Sequence, residues 1–116
     1  MGVRLILADD HKIMREGLRA LLAKQKEIEV IAEADSGRGV IELCAQLHPD
    51  VVVIDISMPD LNGIDAARQI TRQAPDIKVI ALSMHSDKKY VKEMLAAGAS
   101  GYLLKDAAFE ELGMAI

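Results

Sequence analysis

Five short apolar runs in this 116-residue chain end on polar side chains whose types complement one another. Asp9 and Asp10 follow the first run, Asp55 the third, Ser83 the fourth and Lys105 the fifth, while the second offers only Asp35. Carboxylates brought together repel, and either a raised pKa or a cation must relieve them. A hard donor set of oxygens, with no Cys or His in it, favours Mg²⁺, which keeps several waters and takes one or two protein carboxylates. Such an ion would also offset the charge of an incoming phosphoryl group. Lys105 offers a compact charge for a phosphate oxygen, and the Ser83 hydroxyl offers a second donor. Asp55 would then be placed to attack phosphorus as a carboxylate nucleophile and carry an aspartyl phosphate.

That chemistry requires elements that bring the run ends to one place. Val3–Ala8 reads as a first strand, followed by a helix over 12–24 with Ile13, Met14, Gly17, Leu18, Leu21 and Leu22 along one stripe. Ile28–Ala34 reads as a second strand whose alternating Glu residues mark a sheet edge. Ser36 can cap the next helix, whose apolar face is Val40, Ile41, Cys44 and Leu47 and which Pro49 stops. Val51, Val52, Val53 and Ile54 form a β-branched run of the kind buried on both faces. A loop with Pro59 and Gly63 leads to a helix over 64–73, then a strand over 77–83, a helix over 87–97, a strand over 101–104 and a last helix from about 107. The alternation predicts right-handed βαβ crossovers and a parallel sheet covered by helices on both sides. In such a sheet ligands bind beyond the carboxyl ends of the strands. Asp9, Asp10, Asp55, Ser83 and Lys105 all sit at those ends.

Taken singly, each of these residues has a plainer role. An Asp at a strand end caps a turn, and Asp9 and Asp10 just before a helix can satisfy its first amides and dipole. Ser83 can be a strand terminus and Lys105 a solvated charge. Convergence of four strands on one rim favours the chemical reading. His11, His48 and His85 share no metal-ligand spacing, so His11 and His85 read as loop residues near the rim and His48 as a helix-end residue. Cys44 falls on an apolar stripe and reads as core.

Composition bounds the rest. The length suits a single domain over 1–116. Apolar runs are short and interrupted, so no signal peptide or membrane span is expected. The Met1, Gly2 opening lacks a Ser or Thr at Ile6, which sets aside myristoylation. One cysteine excludes an internal disulfide and fits a reducing, cytoplasmic setting. A net charge of −4, three aromatic residues and no Trp make a poor nucleic-acid surface.

Four segments together resemble the receiver domain of bacterial two-component response regulators, the CheY-like fold. They are Ala8 to His11, Val51 to Gly63 (VVVIDISMPDLNG), Ala81 to Ser83, and Gly98 to Lys105. The resemblance covers essentially the whole chain. It implies a flavodoxin-like (βα)5 architecture, a five-stranded parallel sheet of order 2-1-3-4-5 between two helical layers. It implies that Asp55 accepts a phosphoryl group from a sensor histidine kinase or a small acyl phosphate. Mg²⁺ would be held by Asp10, Asp55 and the backbone carbonyl of Ser57, with Asp9 acting through water. Ser83 and Lys105 would bind the phosphoryl oxygens, and Tyr102 resembles the aromatic that changes rotamer with Ser83. Self-phosphorylation and autodephosphorylation would be the only reactions, so the domain is expected not to be an enzyme.

Asp-Asp-His, Leu-Ser-Met-His and Lys-Asp after the first, fourth and fifth strands resemble the NarL/FixJ group, whose members carry a LuxR-type helix-turn-helix. DNA binding and transcription control would then belong to an output domain of the parent protein that this sequence does not contain. A homodimer through the first and fifth helices, or through the fourth helix, fifth strand and fifth helix, is also implied. Two residues depart from the family pattern: Asp106 stands where most members have Pro, and Met84 where most have a small residue. The last helix is expected to be truncated.

Three other readings share parts of this pattern. A haloacid-dehalogenase-type hydrolase would need a second Asp at position 57, which is Ser57. A flavin or nucleotide binder would need a Gly-, Ser- or Thr-rich loop where Asp9, Asp10, His11 and Lys12 stand. The nearest alternative is a pseudo-receiver that is not phosphorylated and acts as a protein-interaction module.

Overall fold

A computed structural model of the chain describes residues 2–56, 58, 63–83 and 88–104, without the side chains of residues 83, 88–91 and 102–104. Its elements are β1 (Val3–Ala8), α1 (Lys12–Ala23), β2 (Ile28–Ala34), α2 (Gly37–Leu47), β3 (Val51–Asp55), α3 (Gly63–Gln73), β4 (Lys78–Ser83), α4 (Lys88–Ala96) and β5 (Gly101–Leu104). The strands form one parallel sheet in the order β2-β1-β3-β4-β5. The strand reversal beside β1 and β3 is the switch point at which such sheets open a crevice at their carboxyl ends. The expected helix from about residue 107 lies outside the described residues.

Period-two alternation splits the strands between two cores. Leu5, Leu7, Val51, Val53, Ile80 and Leu82 pack with Leu18 and Leu22 of α1 on one face. Ile6, Ala8, Val52, Ile54, Val79 and Ala81 pack with Val40 and Cys44 of α2, Ile70 of α3 and Met94 of α4 on the other. Every residue of β3 is buried, as its β-branched run requires of a strand covered on both sides. β2 is only partly buried along most of its length, which fits its place at the sheet edge.

Local signals place the helix ends. The Ser36 hydroxyl accepts from the Gly39 amide at 3.0 Å and so caps α2. At the other end His48 adopts the left-handed conformation with φ 47°, and Pro49 follows. His48 is thus structural, as its position suggested. The stripe expected on α1 needs one correction: Ile13 is 85% exposed, and the buried positions of the helix are Leu18 and Leu22. In the same turn Met14 packs against the core of Leu5, Leu7, Leu18 and Leu22, so the helix turns Met14 inward and leaves Ile13 outside. Among the described residues, no helix is long and apolar enough to cross a membrane.

Candidate functional site

The same alternation that builds the core also aims the carboxylates. Leu5, Leu7 and Asp9 form one series on β1 and its extension, and Val51, Val53 and Asp55 form another on β3. β1 and β3 are hydrogen-bonded neighbours in register, Ala8 opposite Ile54. Asp9 and Asp55 are therefore delivered side by side, 0% and 1% exposed, and they are the buried charged residues among those described. Burying an ionised carboxylate without a partner is expensive, so the floor of this crevice demands positive charge.

Around that floor, Asp9, Asp10, His11 and Asp55 each present one donor atom, and all four atoms lie within 4.8 Å of one another. Asp10 is at the exposed rim. His11, read from the sequence as a loop residue near the rim, stands there between β1 and α1 with its ring against the carboxylates. Its Nδ1 stands 3.0 Å from Asp9 Oδ1, 3.2 Å from Asp10 Oδ1 and 3.9 Å from Asp55 Oδ2. An imidazole nitrogen thus stands beside the carboxylate oxygens expected from the sequence. The cause is a local turn: Asp9 Oδ1 accepts from the His11 amide at 2.8 Å, which folds the chain back over the carboxylates. His11 is also the N-cap residue of α1, and its side chain makes no cap hydrogen bond. The plainer reading of Asp9 as a turn and cap residue is met at the His11 amide.

Sequence reasoning also missed Arg15. Its Nη1 donates to the Asp9 carbonyl at 2.6 Å, and its Nε faces Glu33 Oε1 at 3.4 Å. Arg19 Nη1 donates to Glu33 Oε2 at 3.0 Å. These contacts tie the turn after β1 to the edge strand β2 and hold Asp9 in place. No sequence motif announces a contact six residues apart in a turn-helix junction. A Glu on β2 facing two Arg residues four apart on α1 was the available signal.

On the far side, Asp55 pairs in register with Leu82, and the Ile56 amide donates to the Leu82 carbonyl at 3.0 Å. The backbone of Ser83 therefore lies one step beyond Asp55 along the rim, and Ser83 in turn pairs with Leu104. The side chains of Ser83 and Tyr102, together with Ser57, Met84, Lys105 and Asp106, lie outside the described residues. Beneath Asp55 the backbone is tightly closed. The Gly63 amide donates to the Ile56 carbonyl at 2.7 Å, and a Cβ at Gly63 would collide with the Asp55 carbonyl oxygen. Only glycine allows α3 to begin so near the end of β3. Cys44 is remote from this chemistry: burial pushes its thiol up to about 11, which leaves it an inert core residue.

A carboxylate cluster at a parallel-sheet switch point agrees with one family across nearly the whole sequence. Residues 5–116 match the model of the response regulator receiver domain. The chain belongs to that family.

Among curated relatives, this receiver is 43% identical over 104 residues to the transcriptional regulatory protein DegU of Brevibacillus brevis. That alignment covers 90% of this chain and 44% of DegU. It is 39% identical over 114 residues to the response regulator UvrY of Escherichia coli K12, covering 98% of this chain and 52% of UvrY. Among solved structures, a LuxR-family two-component response regulator from Aurantimonas sp. SI85-9A1 superposes with a TM-score of 0.93 at 33% identity. That match covers 98% of this chain and 81% of the other. The chain spans about half the length of the curated relatives it matches. The resemblance noted in the sequence, including its NarL/LuxR-type relatives, thus holds for the receiver.

Proposed function

We propose that this receiver is a phosphorylation switch in which Asp55 accepts a phosphoryl group from a sensor histidine kinase. The observation that carries the reading is Asp55 itself, a buried carboxylate at the end of the central strand, grouped with Asp9, Asp10 and His11. An Asp55 oxygen attacks phosphorus, the new P–O bond forms as the P–N bond to the kinase imidazole breaks, and the departing nitrogen keeps its electron pair. Acetyl phosphate or phosphoramidate would serve as a small donor by the same displacement.

The residues present suit a hard divalent cation such as Mg²⁺. Asp10, Asp55 and the Ser57 carbonyl would hold it, with Asp9 bound through water. Such an ion supplies charge neutralisation for the approaching phosphoryl oxygens. The chain's own contribution is positional. The His11 amide and Arg15 fix Asp9, the β3 register fixes Asp55, and the Gly63 closure holds the backbone behind the nucleophile. Ser83 and Lys105 would donate to the phosphoryl oxygens. Movement of Ser83 toward them, with Tyr102 turning inward, would change the face formed by α4, β5 and the fifth helix. Water attacking the acyl phosphate would reset the switch, so no substrate is turned over in the manner of an enzyme.

In the parent protein that face would govern dimerisation and a helix-turn-helix output domain acting on DNA, in the cytoplasm.

Intact mass after incubation with Mg²⁺ and phosphoramidate tests the acceptor. A gain of about 80 Da, absent from Asp55→Asn, is expected for one phosphoryl group. If wild type gains nothing and beryllofluoride with Mg²⁺ also fails to bind, the phosphoacceptor reading is wrong and a protein-interaction pseudo-receiver replaces it.

A further inference from the structure

We propose that His11 is a metal ligand that makes this site discriminate among divalent cations. It would favour borderline first-row ions such as Co²⁺, Ni²⁺ or Zn²⁺ over Mg²⁺ more strongly than carboxylates alone would. The inference rests on the metal-dependent reading above and concerns a residue which that reading leaves out.

The geometry is that of a donor set. With metal–ligand bonds of about 2.1 Å, neighbouring donors in an octahedron lie roughly 3.0 Å apart and opposite donors about 4.2 Å. His11 Nδ1 lies 3.0, 3.2 and 3.9 Å from oxygens of Asp9, Asp10 and Asp55. These separations fall between the edge and the diagonal of such a polyhedron. The nitrogen is the ring atom nearer the backbone, on a residue whose amide is already anchored to Asp9, so the imidazole needs no large movement to serve. The His11 side chain is 61% exposed and Asp10 is exposed beside it, so both stand at the solvent side of the buried Asp9 and Asp55.

Donor chemistry then sets the preference. Mg²⁺ is hard, dehydrates reluctantly and gains little from a nitrogen donor. Imidazole suits the later first-row ions, whose affinities rise along the Irving–Williams order. The ring makes no cap hydrogen bond to α1, and its Nδ1 pairs instead with Asp9 Oδ1 at 3.0 Å, outside the two apolar cores. His11→Ala should therefore fold normally, which circular dichroism can verify.

The test is calorimetric titration of the metal-free protein with Mg²⁺ and separately with Co²⁺ at pH 8. Visible absorption of the Co²⁺ complex gives a second readout. His11→Ala should weaken Co²⁺ binding about tenfold or more and Mg²⁺ binding by less than about twofold, and should alter the Co²⁺ ligand-field bands. An unchanged ratio of the two affinities with unchanged bands overturns the proposal. So does tighter binding of both ions by His11→Ala, which would mean that the imidazole occupies the site in competition with cations. If wild type binds neither ion, this inference and the metal-dependent reading fall together. If it binds both and only the ratio is insensitive to His11, the metal-dependent reading stands alone.

Discussion

The two ends of β3 carry aspartates in opposite circumstances. Just before the strand, Asp50 knits the sheet together. Its Oδ2 accepts from the Arg4 amide at 2.9 Å, its own amide donates to the Arg4 carbonyl at 2.8 Å, and its carbonyl accepts from the Lys78 amide at 3.0 Å. Nearby, Arg4 Nη1 donates to the His48 carbonyl at 3.0 Å. At the strand's other end Asp55 is buried beside Asp9, with Asp10 and His11 above it. Folding makes use of the carboxylate at Asp50 and sets the carboxylate of Asp55 against that of Asp9. A fold tolerates such a conflict where the strained group has a task, and here it marks the functional end of the sheet.

The contrast is broken most forcefully through the backbone. Gly63→Ala places a Cβ against the Asp55 carbonyl oxygen and 2.8 Å from the Ile56 Cα. Overpacking of this kind should lower stability by about 1–3 kcal/mol, seen as a reduced urea midpoint at constant slope. Gly2→Ala at the opposite end meets only the Glu27 carbonyl at 3.4 Å, an ordinary contact, and should change little. Equal losses from both would show that the two ends are packed alike.

Cation binding should act on one end only. At a concentration about 100 times its Kd, Mg²⁺ should raise wild-type stability by about 2.7 kcal/mol, because it binds the folded chain and not the unfolded one. The rise should vanish in Asp55→Asn and persist in Asp50→Asn. In chelator, Asp55→Asn should itself be more stable than wild type by roughly 1–2 kcal/mol, since one of the mutually repelling carboxylates loses its charge. Thermal melts with and without chelator check both statements, and a destabilised Asp55→Asn would mean that the folded chain already balances the Asp55 charge.

Much of this was legible in the sequence, for identifiable reasons. β1, β2 and β5 have the bounds read from the sequence, because their apolar runs are bracketed by polar or turn residues and pairing partners reinforce the same limits. The placement of Asp9, Asp10 and Asp55 followed from strand polarity alone, since parallel strands share one carboxyl edge. What escaped were residues whose roles depend on a turn. Ile13 looked like part of a helical stripe, yet of the two adjacent apolar residues 13 and 14 it is Met14 that packs on the core, and periodicity alone does not choose between them. His11 was set aside because histidine spacing along the chain shows no ligand pattern. Its partners are brought to it by the Asp9 turn and by a strand more than forty residues later. Arg15 likewise gains meaning only when α1 lies against β2.

The smallest expected effect is also the most discriminating. Asp50→Ala removes the carboxylate that accepts from the Arg4 amide and should lower stability by about 1 kcal/mol. Asp50→Asn keeps an acceptor oxygen and should stay within about 0.5 kcal/mol of wild type. Asp50→Asn and Asp55→Asn each remove one negative charge from a chain of net charge −4, so any general relief of acidic repulsion acts on both equally. Only local geometry can leave the first unchanged while the second gains. If both gained alike, the excess charge of the whole domain would explain the result, and the buried cluster at the end of β3 would lose its claim to be a site built against its own electrostatics.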